Sequence, residues 1–249
     1  MNVFGCTVAR HRPDAIRRRL HDAFLDRFSR HEFAESYALR GGVRFASLLP
    51  DAQRRAQDID LVALHPLDIE RHVRTALYGT QNQVKFECLA AIPTADAGRP
   101  LGVRMHIAGE TGGRRATFTV DVNALVSLWP HPVARRGIRN VAASTMVGTK
   151  LKVLAELGPY RWRAKDLRDA LLLLRHGAIP RRELAEATEC AWEQGSPLVD
   201  SPAALLRSAE WWRGPHGVRC WADLRKETGA PPLCEAVDEL RIRLRQLAS

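Results

Sequence analysis

Cysteine chemistry is scarce in this chain. Five cysteines stand among 249 residues, and Cys6, Cys88, Cys190, Cys220 and Cys234 include no pair at close metal-ligand spacing. An odd number so spread excludes a disulfide framework and reads as reduced thiols of a cytosolic protein. Aromatic residues make up only 6%, so aliphatic side chains must fill most of the core. No apolar run approaches the roughly 18 residues of a membrane span, which leaves no membrane partner to expect. Basic residues near the N-terminus are followed by no apolar segment of the kind a signal peptide needs. Neither repeats nor low-complexity tracts are present.

The remaining composition is that of a globular protein: 45% apolar and 27% charged residues. The length suits one large domain or two smaller ones. The net charge of +10 and an isoelectric point near 10.0 suit a partner rich in phosphate, because neutralising phosphates releases condensed counterions. Arginine-rich usage without any nucleic-acid partner accounts for the charge equally well.

Hydrophobic periodicity divides the chain. Ile16, Leu20, Phe24 and Phe28 recur every fourth residue and predict a helix over 13–33. Tyr37–Arg40 leads into Gly41-Gly42, Val43–Leu49 reads as a short helix, and Asp58–Leu64 reads as a strand. A helix follows to about Leu77, with Gly79 as its stop. Alternation at period two over Val84–Ile92, Leu101–Ile107 and Ala116–Val122 predicts antiparallel sheet. After Pro132 the pattern is helical to the end, with helices over Val147–Leu157 and Lys165–Arg175 and two or three more beyond Pro180. The expected fold class is α+β, a mixed sheet flanked by helices over 1–140 followed by a helical domain over 141–249.

One pair of acids stands out. Asp58 and Asp60 are two apart on a predicted strand, where alternate side chains share a face. Like charges held together are costly unless a cation neutralises them. Magnesium prefers carboxylate oxygens and leaves positions open for water and phosphate. Two such ions would stabilise the attacking and leaving oxygens of a phosphoryl transfer. Asp-x-Asp alone also suits the metal site of a glycosyltransferase that uses a nucleotide sugar. Gly41-Gly42 is a plain turn on one reading; on the other, a backbone that can approach a triphosphate closely because no side chain blocks it.

Taken in order, Leu39-Arg40-Gly41-Gly42, then Arg55-Ala56-Gln57-Asp58-Ile59-Asp60-Leu61-Val62, resembles the signature of the polymerase-beta-like nucleotidyltransferase superfamily. Gly148-Thr149-Lys150-Leu151-Lys152-Val153-Leu154-Ala155 and Arg161-Trp162-Arg163-Ala164-Lys165-Asp166-Leu167-Arg168-Asp169 resemble the downstream motifs of its AbiEii/AbiGii-type branch, the nucleotidyltransferase toxins of bacterial abortive-infection and toxin–antitoxin systems. The similarity runs over roughly residues 37 to 176. It implies a magnesium- or manganese-dependent enzyme that takes an NTP. Asp58 and Asp60 match the metal pair, and Asp121, on a strand that could neighbour theirs, matches a third carboxylate. Gly41, Gly42, Arg55, Lys150 and Lys165 match positions on the nucleotide side. Asp166 matches the late acidic motif as a general base or as the organiser of Lys150, and Asp169 a second acid three residues on. The resemblance further implies an RNA acceptor, such as a tRNA 3′ end, and a cognate antitoxin, often a DNA-binding regulator.

The chain departs from the pattern at Ala56, where relatives often carry Ser or Thr, at Val43, and in a slightly long spacer from Gly42 to Asp58. The missing hydroxyl leaves open a second expectation, a non-catalytic nucleic-acid- or partner-binding protein on a decayed scaffold. Asp166 and Asp169 are also explained by the preference for acids in a helix's first turn. Trp162 between Arg161 and Arg163 reads either as a stacking platform or as a packed core residue. Trp211-Trp212 reads as core.

Overall fold

The computed structural model describes residues 12–52, 56–65, 68–79, 83–96, 99–124, 127–135, 137–195 and 197–245. Arg55 and Cys6 lie outside the described residues. In chain order the elements are α1 (Arg12–Phe28), β1 (Tyr37–Arg40), α2 (Gly41–Leu48), β2 (Ile59–Ala63), α3 (Ile69–Leu77), β3 (Val84–Asp96), β4 (Arg99–Thr111), β5 (Arg114–Ala124), β6 (Val133–Arg135) and β7 (Ile138–Asn140). The helices α4 (Ala143–Leu157), α5 (Ala164–His176), α6 (Arg181–Glu193), α7 (Pro202–Arg207), α8 (Ala209–Arg213), α9 (Pro215–Thr228) and α10 (Leu233–Arg245) follow. The strands order as β3-β4-β5-β2-β1-β7-β6. The class is α+β, a mixed sheet with helices and a helical C-terminal part.

Two compact units divide the chain. The first comprises residues 1–43, 55–125 and 136–138; the second comprises 44–54, 126–135 and 139–249.

The first unit is built on β3-β4-β5-β2-β1. β3, β4 and β5 form an antiparallel meander, β1 runs antiparallel to β2, and β2 runs parallel to β5. Alternation gives the sheet two faces. Ile59 and Leu61 of β2, Met105 and Ile107 of β4, and Phe118, Val120 and Val122 of β5 are buried in one core with Leu20, Phe24 and Phe28 of α1 and Val73 and Leu77 of α3. That apolar burial, at roughly 25 cal/mol per Å², is the main force holding the unit together. Asp60, Arg104, His106, Thr119 and Asp121 alternate with those residues and take the other face.

α1 ends at Phe28 rather than at Phe33. The chain turns, and Phe33 instead stacks between His31 at 4.8 Å and His72 at 4.3 Å. The carboxylate of Asp68 accepts the Arg71 amide at 3.1 Å and so caps α3.

The second unit is helical apart from β6 and part of β7, short strands where the sequence predicts helix. Helical periodicity is unreadable over three residues, and Pro130 and Pro132 interrupt what precedes them. Beyond Pro180 there are five helices among the described residues rather than two or three. The added ones are short: α7 has six residues and α8 five. Trp162 is fully buried and meets Trp212 edge-on at 5.5 Å. The Trp211 indole N–H donates to the Leu154 carbonyl at 3.1 Å. The packed-core reading of Trp162 therefore holds, and no stacking platform forms there. Among the described residues the four cysteines are free, and no helix is long and apolar enough to cross a membrane.

Candidate active site

The polar sheet face of the first unit carries a row of charge. Register places Arg40 of β1 opposite Asp60 of β2, Asp60 opposite Asp121 of β5, and Asp121 opposite Arg104 of β4. Adjacent strands lie about 4.8 Å apart, so the row reads cation, acid, acid, cation over four neighbouring strands. Asp58 stands at the bend just before β2 and is partly buried. Asp121 takes the place the sequence suggested beside the Asp58–Asp60 segment, in a parallel pairing.

Burial holds the Asp60 carboxyl above the usual carboxylate range; Arg40 and a hydrogen bond from the Gly42 backbone oppose this, while Asp121 and Asp58 add to it. An acid raised partly by neighbouring acids marks a place where positive charge is favourable. Burial lowers the Arg40 pKa against the pull of Asp60 and Asp121. Arg104 grips Asp121 with both ends of its guanidinium, Nε to Oδ1 at 2.6 Å and Nη2 to Oδ2 at 3.0 Å. This raises the Arg104 pKa, the hydrogen bond first and the charge of Asp121 second.

Gly41 explains why β1 ends as it does. Its φ is +63°, a left-handed conformation that costs other residues roughly 1–2 kcal/mol. A Cβ there would lie 1.8 Å from Oδ2 of Asp60. Glycine is therefore required at this position both by the backbone and by the acid beside it. Gly42 keeps an ordinary φ and supplies its amide to Asp60. The Gly41-Gly42 step and the Asp60 carboxylate are in direct contact, as a shared site demands.

Beside Asp58 the polar face forms a cleft of about 300 Å³ lined by Arg17, Gln57, Asp58, His106, Thr117, Phe118 and Thr119. Behind it, His21 of α1 is buried edge-on to Phe118 at 5.0 Å and is hydrogen-bonded to the Gln57 backbone. Sequence reading singled out none of Arg40, Arg104, His106 and His21. Arg40 is legible as the residue before the glycines. Arg104 and His106 become visible only once strand register sets them opposite Asp121 and Thr119.

The second unit holds the other motif residues. The Lys150 ammonium on α4 lies 3.0 Å from Oδ1 of Asp166 and 3.0 Å from Oδ2 of Asp169, both on α5. Burial alone would lower the Lys150 pKa, but Asp169 and Asp166 more than offset this and raise it. Asp166 and Asp169 share a helix face and are almost fully buried, so they do more than sit in a helix's first turn. Removing either partner of such a pair strands a buried charge, at a cost of about 3–5 kcal/mol. Lys165 is exposed on α5, and Arg161 and Arg163 are exposed in the segment just before it. Lys152 pairs instead with Glu156 at 3.3 Å. Among the described residues no three metal-ligating side chains converge.

These motifs and this fold meet in a sequence match over residues 23–214 to the family described as "Nucleotidyl transferase AbiEii toxin, Type IV TA system". The chain belongs to the AbiEii nucleotidyl transferase toxin family. Its members are enzymes, so the non-catalytic and glycosyltransferase readings give way to nucleotidyl transfer from an NTP. A type IV toxin–antitoxin family also implies an antitoxin partner. No curated protein matches the AbiEii chain in sequence. Its fold is similar to that of JHP933 from Helicobacter pylori, at 13% identity and a TM-score of 0.58, covering 94% of this chain and 91% of that one. A second H. pylori protein, assigned to the nucleotidyltransferases, aligns at 13% identity with a TM-score of 0.56 over 94% of each chain.

Proposed function

We propose that this AbiEii chain transfers an NMP from an NTP to a hydroxyl of an RNA acceptor, a tRNA 3′ end above all, in a reaction that needs Mg2+ or Mn2+. The contact between Gly41 and Asp60, within a row that continues to Asp121, carries this reading. Asp58 and Asp60 would hold the divalent ions, with Asp121 as a third ligand. The residues fit those ions: they offer hard oxygen donors, and Asp121 and Asp58 raise the cost of charge on Asp60. When bound, the ions supply positive charge at the attacking and leaving oxygens.

The chain's own groups do the rest. The acceptor oxygen attacks the α-phosphorus as the bond from that phosphorus to the bridging β-phosphate oxygen breaks, and pyrophosphate leaves. The hydroxyl proton passes to a carboxylate, for which Asp166 is the candidate. Gly41 and Gly42 present bare backbone to the triphosphate. Lys150 neutralises its charge, with Asp166 and Asp169 fixing the ammonium. Arg55 and Lys165 are further nucleotide-side cations by resemblance. The +10 net charge supports an RNA partner. The antitoxin, on this reading a DNA-binding regulator, silences a toxic activity.

Incubation with each labelled NTP, Mg2+ or Mn2+ and total RNA tests the reading. Label enters RNA with the native protein, disappears with EDTA, and is lost with Asp60→Asn. If no nucleotide labels any RNA while the protein is folded, the acceptor is wrong. If label enters equally with Asp58→Asn and Asp60→Asn together, the metal pair is wrong.

A further inference from the structure

Arg104 belongs to none of the motifs quoted above, yet it closes the charged row. Its fork occupies both oxygens of Asp121. Such a bidentate bond engages both oxygens of Asp121 and offsets the charge that would attract a cation. The Arg104 side chain is 51% exposed, against 21% for Asp121, so the arginine can leave while the acid stays.

Its position says where it would go. Gly41, at the end of β1, marks the triphosphate flank of the row. Arg104, on β4, is three strand spacings away, about 14 Å. It therefore stands on the opposite flank, where an acceptor must enter. The cleft beside Asp58 continues that flank, and Arg17, His106, Thr117 and Thr119 line it. With Gln57 they give the cleft N–H and O–H donors suited to phosphodiester oxygens, set beside the Asp58 carboxylate and the Phe118 ring.

We propose that Arg104 is an exchange residue, neutralising Asp121 until divalent ions take that carboxylate and then pairing with a backbone phosphate of the RNA acceptor. The inference rests on the reading of Asp58, Asp60 and Asp121 as the metal site. Ion binding and acceptor binding are coupled through one side chain: the ion frees the arginine, and the freed arginine gains the phosphate. A ligand that competes with an internal ion pair is weakened by it, so removing Arg104 tightens the ion and loosens the RNA.

The experiment uses the full chain. Free Mn2+ is followed by electron paramagnetic resonance without nucleotide, for the native protein, Arg104→Gln, Arg104→Lys and the Asp58→Asn/Asp60→Asn double variant. Arg104→Gln binds Mn2+ about tenfold more tightly, and Arg104→Lys, which keeps charge but not the fork, falls between. Fluorescence anisotropy of a labelled single-stranded RNA at constant ionic strength gives the second readout. Saturating Mn2+ tightens RNA binding by the native protein, and Arg104→Gln abolishes that gain. Unchanged or weaker Mn2+ affinity in Arg104→Gln overturns the proposal, as does an ion-dependent RNA gain that survives the substitution. Native Mn2+ affinity in the Asp58→Asn/Asp60→Asn protein would instead remove the metal site beneath it. Circular dichroism confirms that each variant is folded.

Discussion

Replacing Gly41 by alanine should separate the site from the fold. The added carbon would lie 1.8 Å from Oδ2 of Asp60, 2.4 Å from Cγ and 2.7 Å from Cβ. A carbon and an oxygen need about 3.3 Å, so the carboxylate must retreat by roughly 1.5 Å. The left-handed backbone at φ +63° adds roughly 1–2 kcal/mol for a residue with a side chain. Because Asp60 points away from the apolar core, the clash falls on the acid and the core packing survives. Thermal unfolding should therefore drop by only about 2–8 °C, from about 1–2 kcal/mol at 2–4 °C each in a chain of this size. Catalysis should suffer far more. A misplacement of about 1 Å at a reacting group costs about 10²-fold, so kcat/KM for NTP transfer should fall at least that far in Gly41→Ala. A variant with transfer activity within about threefold of native, roughly 0.7 kcal/mol, would refute the argument that this glycine exists for Asp60.

Other expectations follow from the two units separately. His21 has its pKa lowered to about 4, by burial first and then by the charge of Arg17. The unfolded chain takes up that proton near 6.5, so this contribution to stability is whole above 6.5 and is lost as pH falls to about 4, by about 3 kcal/mol. Urea midpoints between pH 7 and 4 should fall more steeply for the native protein than for His21→Leu, and equal slopes would contradict this. Glu239 is held down to about 2 by the hydrogen bond from Arg175 first, with Arg243 adding to it. Its contribution is present above the ordinary value of 4.5 and disappears as pH falls toward about 2; for a partly exposed pair it is about 1 kcal/mol. Glu239→Gln should remove that acid sensitivity in denaturant titrations. Gly217→Ala places a carbon 2.1 Å from the buried Trp162 ring and should cost about 1–3 kcal/mol, visible in tryptophan-detected unfolding.

Much of the site was legible because its chemistry is local. Asp58-Ile59-Asp60 is readable by alternation, and Gly41-Gly42 by the absence of side chains. The two faces of β2 follow directly: Ile59 and Leu61 are fully buried and Asp60 is not. Strand partnership is not local. That Asp121 meets Asp60 in parallel register depends on β5 reaching β2 after α3, β3 and β4 have intervened, and no spacing encodes that. Arg104 was missed for the same reason, since an arginine on a strand is ordinarily a solvated residue until its neighbour is known. Trp162 shows the opposite limit. Its flanking arginines suggested a stacking surface, but Trp212 and Gly217, far along the chain, decide its burial.

β3 is one of the two edge strands of the sheet among the described residues and is thirteen residues long. A free edge of that length is an invitation to templated self-association. Two register shifts, between Cys88 and Ala90 and between Thr94 and Ala95, break its regularity, and Pro93 removes one amide donor. No long straight ladder is therefore offered to a second chain. The interrupted border therefore gives a second copy no continuous run of edge amides and carbonyls to extend.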